Sequence, residues 1–227
     1  MRRIVCEKVF NMRDLGGYLT KDNKVTKFMR FIRSNLPKDM TEDEINYLKN
    51  NNITTIIDLR KTEELERNQN CLNISDFNYY NINLKGDKCP EVEQDIPNGY
   101  MEILDNKETM SQVFHIIANS SGGVLFNCSA GKDRTGVVAM LLLLLANVYE
   151  DDIIADYMVS YAYIRNQIRK MHIDNPDLPA FLGGSKLEYM EETLRLFKEK
   201  YDNIYEYMKY LGITLGEVES IKNKLLN

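Results

Sequence analysis

Alternating strand and helix patterns over the first two-thirds of the chain predict an α/β fold: a central, mostly parallel sheet of four or five strands flanked by helices. Three short runs carry the strand signal, namely Ile53–Asp58, Phe77–Ile82 and Val124–Phe126. The last third, from Asp151 onward, is predicted to be helical throughout, apart from one loop.

The elements follow in order. A helix is expected from Thr41, where Thr41 and Glu44 have capping-box spacing, and the run Asn50-Asn51-Asn52 ends it. Ile53–Asp58 is β-branched and short, which fits a buried strand. Phe77–Ile82 alternates aromatic and polar residues and reads as a second strand. Leu84–Asn98 is polar, with Gly86, Pro90 and Pro97, and is expected to be a long loop of the kind that often serves function. Met110, Val113, Phe114 and Ile117 have helical spacing, and Gly122-Gly123 stops that helix before the strand Val124–Phe126. A helix from Thr135 to Asn147 is apolar on every face, as only a fully buried helix can be. Asp151–Lys170 has helical periodicity, and Asp174–Gly184 holds two prolines and two glycines and reads as a loop. Ser185 with Glu188, and Thr214 with Glu217, are expected to open two more helices as capping boxes.

With 227 residues, the chain is long enough to bury one large core, so residues 1–227 are read as a single domain. A net charge of −5, with both signs mixed along the chain, gives no basis for general nucleic-acid binding. The longest apolar run, Val137–Leu145, is far short of the ~20 residues of a membrane span. Charge breaks up the first eight residues, so no signal peptide is read. Cys6, Cys71, Cys89 and Cys128 show neither paired spacing nor a C-x-x-C, which suggests free thiols in a reducing, cytoplasmic setting. Oligomeric state is not encoded in any pattern found.

The chemistry concentrates in Val124-Leu125-Phe126-Asn127-Cys128-Ser129-Ala130-Gly131-Lys132-Asp133-Arg134-Thr135-Gly136. A buried strand ends at Cys128, a loop of small residues follows, and a helix starts near Arg134. The backbone N–H groups of such a loop converge on an anion, and the helix N-terminus adds positive potential. Ser129, Ala130 and Gly131 are small enough to let phosphate oxygens reach the backbone, and Arg134 can grip two of them in a fork. The same dipoles, with Lys132 and Arg134, favour a thiolate at Cys128, and Thr135 can donate its hydroxyl to the sulfur. A thiolate beneath a bound phosphate is a nucleophile, and the expected intermediate is a cysteinyl-phosphate. The Gly131-Lys132 pair does not make a nucleotide-binding loop, because Phe126 and Asp133 stand where that motif needs Gly and Ser or Thr.

This stretch resembles the signature of the cysteine-dependent protein tyrosine phosphatase superfamily, and C-S-A-G-K-D-R-T-G resembles its atypical bacterial and fungal branch. Asn11-Met12-Arg13-Asp14-Leu15-Gly16-Gly17-Tyr18 is similar to that branch's N-terminal motif, with Met12 for Phe. Arg33-Ser34-Asn35-Leu36 resembles its R-S-x-L, and Asp58-Leu59-Arg60 followed by Glu63 or Glu64 resembles its D-L-R-x-x-x-E. Leu211-Gly212-Ile213-Thr214 is similar to the start of its last helix. The resemblance implies a metal-independent phosphomonoester hydrolase without cofactor. Its implied substrates are phosphotyrosine proteins, together with phosphoserine or phosphothreonine proteins or phosphoinositides. Asn127 departs from the branch, which usually has His before the cysteine. That departure keeps a second reading open, a catalytically weak or dead phosphate-binding module.

Four aspartates compete as general acid: Asp133 in the loop, Asp58 at a strand end, and Asp87 and Asp95 in the Leu84–Asn98 segment. Asp58 has an alternative as a structural partner of Arg13 or Arg60. Lys132 either binds a second phosphate or tunes the local potential. His115 reads as a packed or surface residue, and His172 has no partner in sequence. Cys89 is noted as a resolving thiol for an oxidised Cys128. Tyr157, Tyr161 and Tyr163 are either helix packing or part of a lid over the pocket, as the helices of relatives imply; the helical C-terminal third is expected to form such a lid, with an apolar inner face.

Overall fold

The computed structural model describes residues 2–84 and 90–226. Among the described residues, five strands form one sheet: β1 (Arg13–Asp14), β2 (Phe31–Ser34), β3 (Ile53–Asp58), β4 (Asn78–Asn81) and β5 (Gly123–Asn127). Their order is β1-β2-β5-β3-β4, with β2, β5, β3 and β4 parallel and only β1 antiparallel. The fold is α/β, as the alternation of elements requires.

Register sets the location of the site. Asn127 at the end of β5 is level with Ser34 on one side and Asp58 on the other, and Asp58 is level with Asn81. Cys128 therefore steps off the middle of the sheet at its carboxyl edge, where parallel sheets bind ligands. Side chains alternate across the sheet. Val124, Phe126 and Cys128 pack into the larger core, whereas Leu125, with Ile32 and Ile56, faces a smaller core beneath helix α1 (Glu42–Asn50).

On the larger side lies α5 (Asp133–Leu145), buried along nearly its whole length, which explains its lack of a polar face. It is packed between the sheet and α3 (Ile96–Asp105), α6 (Glu150–Asp174) and α8 (Ile204–Leu211). The remaining helices are α2 (Thr62–Arg67), α4 (Lys107–Asn119), α7 (Leu187–Tyr201) and α9 (Leu215–Leu226). No helix among the described residues is long and apolar enough to cross a membrane.

The capping boxes predicted at Thr41 and Thr214 are present, with reciprocal bonds to Glu44 and Glu217. Ser185 does not cap α7. Its hydroxyl is buried with no partner among the described residues, Lys186 takes the cap position, and no side chain there bonds a helix N–H. Leu84–Asn98 is also not loop throughout, because Glu93–Asp95 forms a 3-10 turn and α3 begins at Ile96. Pro97 sits in the first turn of α3, where its missing N–H costs nothing. Helix α6 runs one turn beyond the predicted end, to Asp174.

Candidate active site

The loop after β5 is held by its carbonyls. Asn11 Nδ2 donates to the carbonyls of Ala130 and Gly131 at 2.9 and 3.0 Å. Arg33 Nη2 donates to those of Gly131 and Lys132 at 2.9 and 3.3 Å, and Leu36 N–H donates to that of Ser129 at 3.2 Å. In a planar trans peptide, a C=O turned outward leaves the following N–H turned inward. The N–H groups of Ala130, Gly131, Lys132 and Asp133 are thereby aimed away from Asn11 and Arg33. Gly131 has φ +67, and a Cβ there would lie 2.4 Å from the Asn35 nitrogen and the Ser34 carbonyl carbon. Only glycine fits this close approach to β2.

The two holders are anchored in turn. Arg13 donates to Asn11 Oδ1 at 2.5 Å and to Asp156 Oδ1 at 2.8 Å. Arg33 Nη1 donates to Asp156 Oδ2 at 2.5 Å, and Tyr18 O–H to Oδ1 at 2.9 Å. Burial alone would push the Asp156 carboxyl up, but Arg13 and Arg33 reverse this and hold it well below the usual carboxylate range. The N-terminal segment and β2 thus share one buried carboxylate on α6 and together brace the loop from outside.

Arg134, at the start of α5, is gripped by Glu64 of α2. Nη1 donates to Oε2 at 2.6 Å and Nη2 to Oε1 at 2.9 Å, a bidentate pair that fixes the plane of the fork. Ser129 Oγ also donates to Glu64. Partial burial pushes the Glu64 carboxyl up, but the bonds from Arg134, Ser129 and the Lys61 backbone outweigh it and bring it to about 2.

Above the loop lies a cavity of about 540 Å³. Cys128, Lys132, Asp133 and Arg134 line its polar end. Ile96 and Ile103 of α3, Ile164, Ile168 and Met171 of α6, and Phe181 of the following segment give it apolar walls.

Residues 4–227 match the model of the tyrosine phosphatase family. The chain belongs to that family. A tyrosine-protein phosphatase of Nostoc commune is 28% identical over 190 residues, which are 74% of this chain and 65% of that protein. The triple specificity protein phosphatase PtpB of Mycobacterium tuberculosis is 30% identical over 120 residues, 45% of this chain and 44% of that one. The chain thus spans less than two-thirds of the length of these relatives. Among solved structures, P. aeruginosa TpbA is 13% identical, covering 77% of this chain and 96% of that one, with a TM-score of 0.39. The core catalytic domain of the PP-IP phosphatase SIW14 from S. cerevisiae is 16% identical, covering 68% and 94%, with a TM-score of 0.37.

In this tyrosine phosphatase family member, the sequence-named residues divide clearly. Cys128 is 2% exposed at the floor of the cavity. Lys132 Nζ donates to the Gly184 carbonyl and pairs with Asp133 Oδ1, both at 2.8 Å. Burial pushes the Asp133 carboxyl up, but Lys132, Tyr100 and Arg134 outweigh it and hold it below the usual range. Thr135 Oγ1 is buried with no hydrogen-bond partner among the described residues, so no bond to the Cys128 sulfur is present.

Asp58 is absent from the cavity lining. Its carboxylate accepts from Arg60 Nε at 2.9 Å and Nη2 at 2.8 Å, from Asn70 at 3.0 Å and from Tyr79 at 3.1 Å. Asn70 also donates to Asn127 Oδ1 at 3.1 Å, while Asn127 Nδ2 is buried and unpartnered among the described residues. Asp95 is exposed in the 3-10 turn, and Asp87 and Cys89 lie outside the described residues. Cys6 and Cys71 are partly buried free thiols, and burial pushes that of Cys6 up to about 12. His115 is a surface residue 2.6 Å from Glu217, and His172 Nε2 lies 2.9 Å from the Leu182 carbonyl. Tyr157 is buried in packing, Tyr161 is exposed, and the Tyr163 ring lies under Arg3. The wall of the cavity on this side is apolar, formed by Ile164, Ile168 and Met171 of the second half of α6 and by Phe181.

Sequence reasoning gave no role to Asn11, Arg33, Glu64, Asp156 or Tyr100. The first three lie inside the quoted motifs, and the motif boundaries were their only signal. Asp156 and Tyr100 had none.

Proposed function

We propose that the chain is a phosphomonoester hydrolase acting through a cysteinyl-phosphate intermediate, within one domain over residues 1–227. Its first substrates are phosphotyrosine proteins, with phosphoserine or phosphothreonine proteins and phosphoinositides as further classes. The observation that carries the reading is the Cys128 thiol at a cavity lined by a loop that Asn11 and Arg33 hold by its carbonyls, beside an Arg134 fixed by Glu64.

The chemistry follows from these positions. The Cys128 thiolate attacks phosphorus in line with the ester oxygen, and the P–O bond breaks as the S–P bond forms. The loop N–H groups and Arg134 hold the three remaining oxygens as charge shifts among them. Asp133 is the one carboxyl group lining the cavity among the described residues; the Cys128 thiolate and the bound phosphate raise it against Lys132 and Arg134, and it delivers its proton to the leaving oxygen. Water then attacks phosphorus, Asp133 takes its proton, and the S–P bond breaks to release phosphate and restore the thiolate. The charge of the loop, Lys132 and Arg134 supplies what a metal would otherwise supply, so no metal or cofactor is invoked.

The occupied state of Lys132, tied to Gly184 and Asp133, supports the tuning role over a second phosphate site. Asp58 is assigned to holding β3, β4 and the Asn70 segment together rather than to chemistry. The free cysteines fit a cytoplasmic, reducing setting, in which Cys128 stays reduced. The alternative of a phosphate-binding module that turns nothing over rests on Asn127, which carries no charge and whose Nδ2 has no partner among the described residues.

Hydrolysis of p-nitrophenyl phosphate by the wild type, lost in Cys128→Ser, with a phosphorylated Cys128 recovered by acid quench and mass spectrometry, tests the proposal. Phosphate binding without any turnover overturns it in favour of the binding module.

A further inference from the structure

Asp133 is not alone at the cavity wall. Tyr100, on α3, donates its hydroxyl to Asp133 Oδ1, and the Tyr157 hydroxyl of α6 lies 2.6 Å from that of Tyr100. Both tyrosines are buried, Tyr100 4% and Tyr157 1% exposed, and their rings meet edge to face at 5.9 Å. A hydroxyl has one proton to donate. If Tyr100 gives its proton to Asp133, Tyr157 gives its own to Tyr100. The chain of bonds then has one direction, from Tyr157 to Tyr100 to Asp133 Oδ1.

Lys132 Nζ also binds Oδ1, at 2.8 Å. Oδ1 therefore has two donors, while among the described residues Oδ2 has none, and the Asp133 side chain is about one-third exposed at the cavity. The two oxygens differ in what they can do: Oδ1 is anchored, and Oδ2 is the atom left to carry a proton to a leaving group. The tyrosines remain neutral at working pH, because burial foremost, with the Asp133 charge beside them, raises both well above the usual phenol range. Tyr100 is thus a fixed donor across that range.

We propose that Tyr100 is a positioning residue for proton transfer: it anchors Oδ1 of Asp133, presents Oδ2 to the leaving oxygen and stabilises the carboxylate that forms as the proton departs, with Tyr157 supporting it from behind. The inference rests on the reading of Asp133 as general acid. No atom of Tyr100 is transferred; the proton moves from Oδ2 to the ester oxygen, and the charge left on the carboxylate is met by the Tyr100 O–H and by Lys132.

Among the described residues, the groups that face Asp133 are Lys132, Arg134 with Glu64, the Cys128 sulfur at the same cavity, Tyr100 from α3 and, behind it, Tyr157 from α6. Of these, the tyrosines are uncharged, so Tyr100→Phe removes a hydrogen bond without changing the formal charge at neutral pH. Removing the Tyr100 hydroxyl withdraws a bond that favours the ionised carboxyl, so Asp133 keeps its proton to higher pH but gives it up less readily.

The test compares wild type, Tyr100→Phe, Asp133→Asn and the double variant on p-nitrophenyl phosphate and on a phosphoserine peptide, with kcat followed against pH. Tyr100→Phe is expected to lower kcat on the phosphoserine peptide by roughly tenfold and on the aryl ester by less than about twofold, and to move the alkaline limb upward by roughly half to one pH unit. In the Asp133→Asn background, the same change adds no leaving-group-dependent loss. Equal losses on both substrates with an unmoved limb make Tyr100 a packing residue and overturn the proposal, as does full additivity with Asp133→Asn. Asp133→Asn reports separately on the acid: if it alone shows no leaving-group dependence, the acid assignment has failed and the Tyr100 role fails with it. If Tyr100→Phe does not fold, Tyr157→Phe, which removes only the distal hydroxyl, shifts the limb in the same direction by less; an unmoved limb there overturns the proposal.

Discussion

Asn11 Nδ2 and the Gly131 carbonyl, 120 residues apart in the chain, meet at 3.0 Å. The contact joins the N-terminal segment to the back of the phosphate loop, and the Ala130 carbonyl shares the same donor.

Asn11→Ala should take the side-chain donor from the Ala130 carbonyl, leave that of Gly131 to Arg33 alone, and remove one of the acceptors of Arg13. We expect a loss of roughly 2–3 kcal/mol in stability by denaturant unfolding. Affinity for vanadate should fall at the same time, because the loop N–H groups lose their aim. Unchanged vanadate affinity in a folded variant would show that Asn11 stabilises the fold without shaping the loop.

Asp133→Asn and Asp58→Asn should separate cleanly. The first should slow a phosphoserine peptide by ~10² to 10⁴ and an activated aryl phosphate far less. The second should cost stability, roughly 3–5 kcal/mol, by leaving Arg60 buried without its charge partner, and should slow both substrates equally. A leaving-group-dependent loss in Asp58→Asn alone would move the acid to β3.

Arg134→Lys keeps the charge and loses the fork that Glu64 holds in plane. A fall in kcat/KM of at least ~10²-fold is expected, as for loss of a transition-state donor. Equal kcat/KM in variant and wild type would remove Arg134 from phosphate binding.

Glu64→Gln tests the anchor through pH. The folded protein holds the Glu64 carboxyl at about 2, against 4.5 for an unperturbed glutamate. Its contribution is therefore present above about pH 5 and is lost as pH falls toward the folded value. The difference in unfolding free energy between wild type and Glu64→Gln should be flat at neutral pH and shrink between those values. A difference that persists unchanged down to about pH 2 would mean that the ion pair is not its source.

Much of this site can be read in the sequence because its chemistry is contiguous. Cys128 through Arg134 needs only a preceding strand and a following helix to define its shape, and both signals are local. The place of Asp58 was ambiguous for a reason that lies in the pleat. Asp58 is level with Asn127, one residue short of Cys128, so its side chain points with Ile56 and Leu125 toward the smaller core while Cys128 faces the larger one. Spacing along one strand cannot show this; register between strands can. Tyr100 is a different case, because its contact with Asp133 depends on how α3 packs against α5, and nothing near Tyr100 in sequence signals it. Ser185 misled because capping-box spacing is necessary for a cap but does not decide whether the hydroxyl turns outward.

Helix α5 is both the element that presents Arg134 and the innermost helix of the molecule. Its first turn therefore has no freedom to fray separately from the rest, and the loop before it is tied on the other side to β2 and α6. Such a site has no partly melted form that could lose catalysis while the domain stays folded. On heating, catalytic loss and the collapse of the whole domain should trace one curve, so residual turnover would serve as a direct gauge of the folded fraction in a damaged or mutated population.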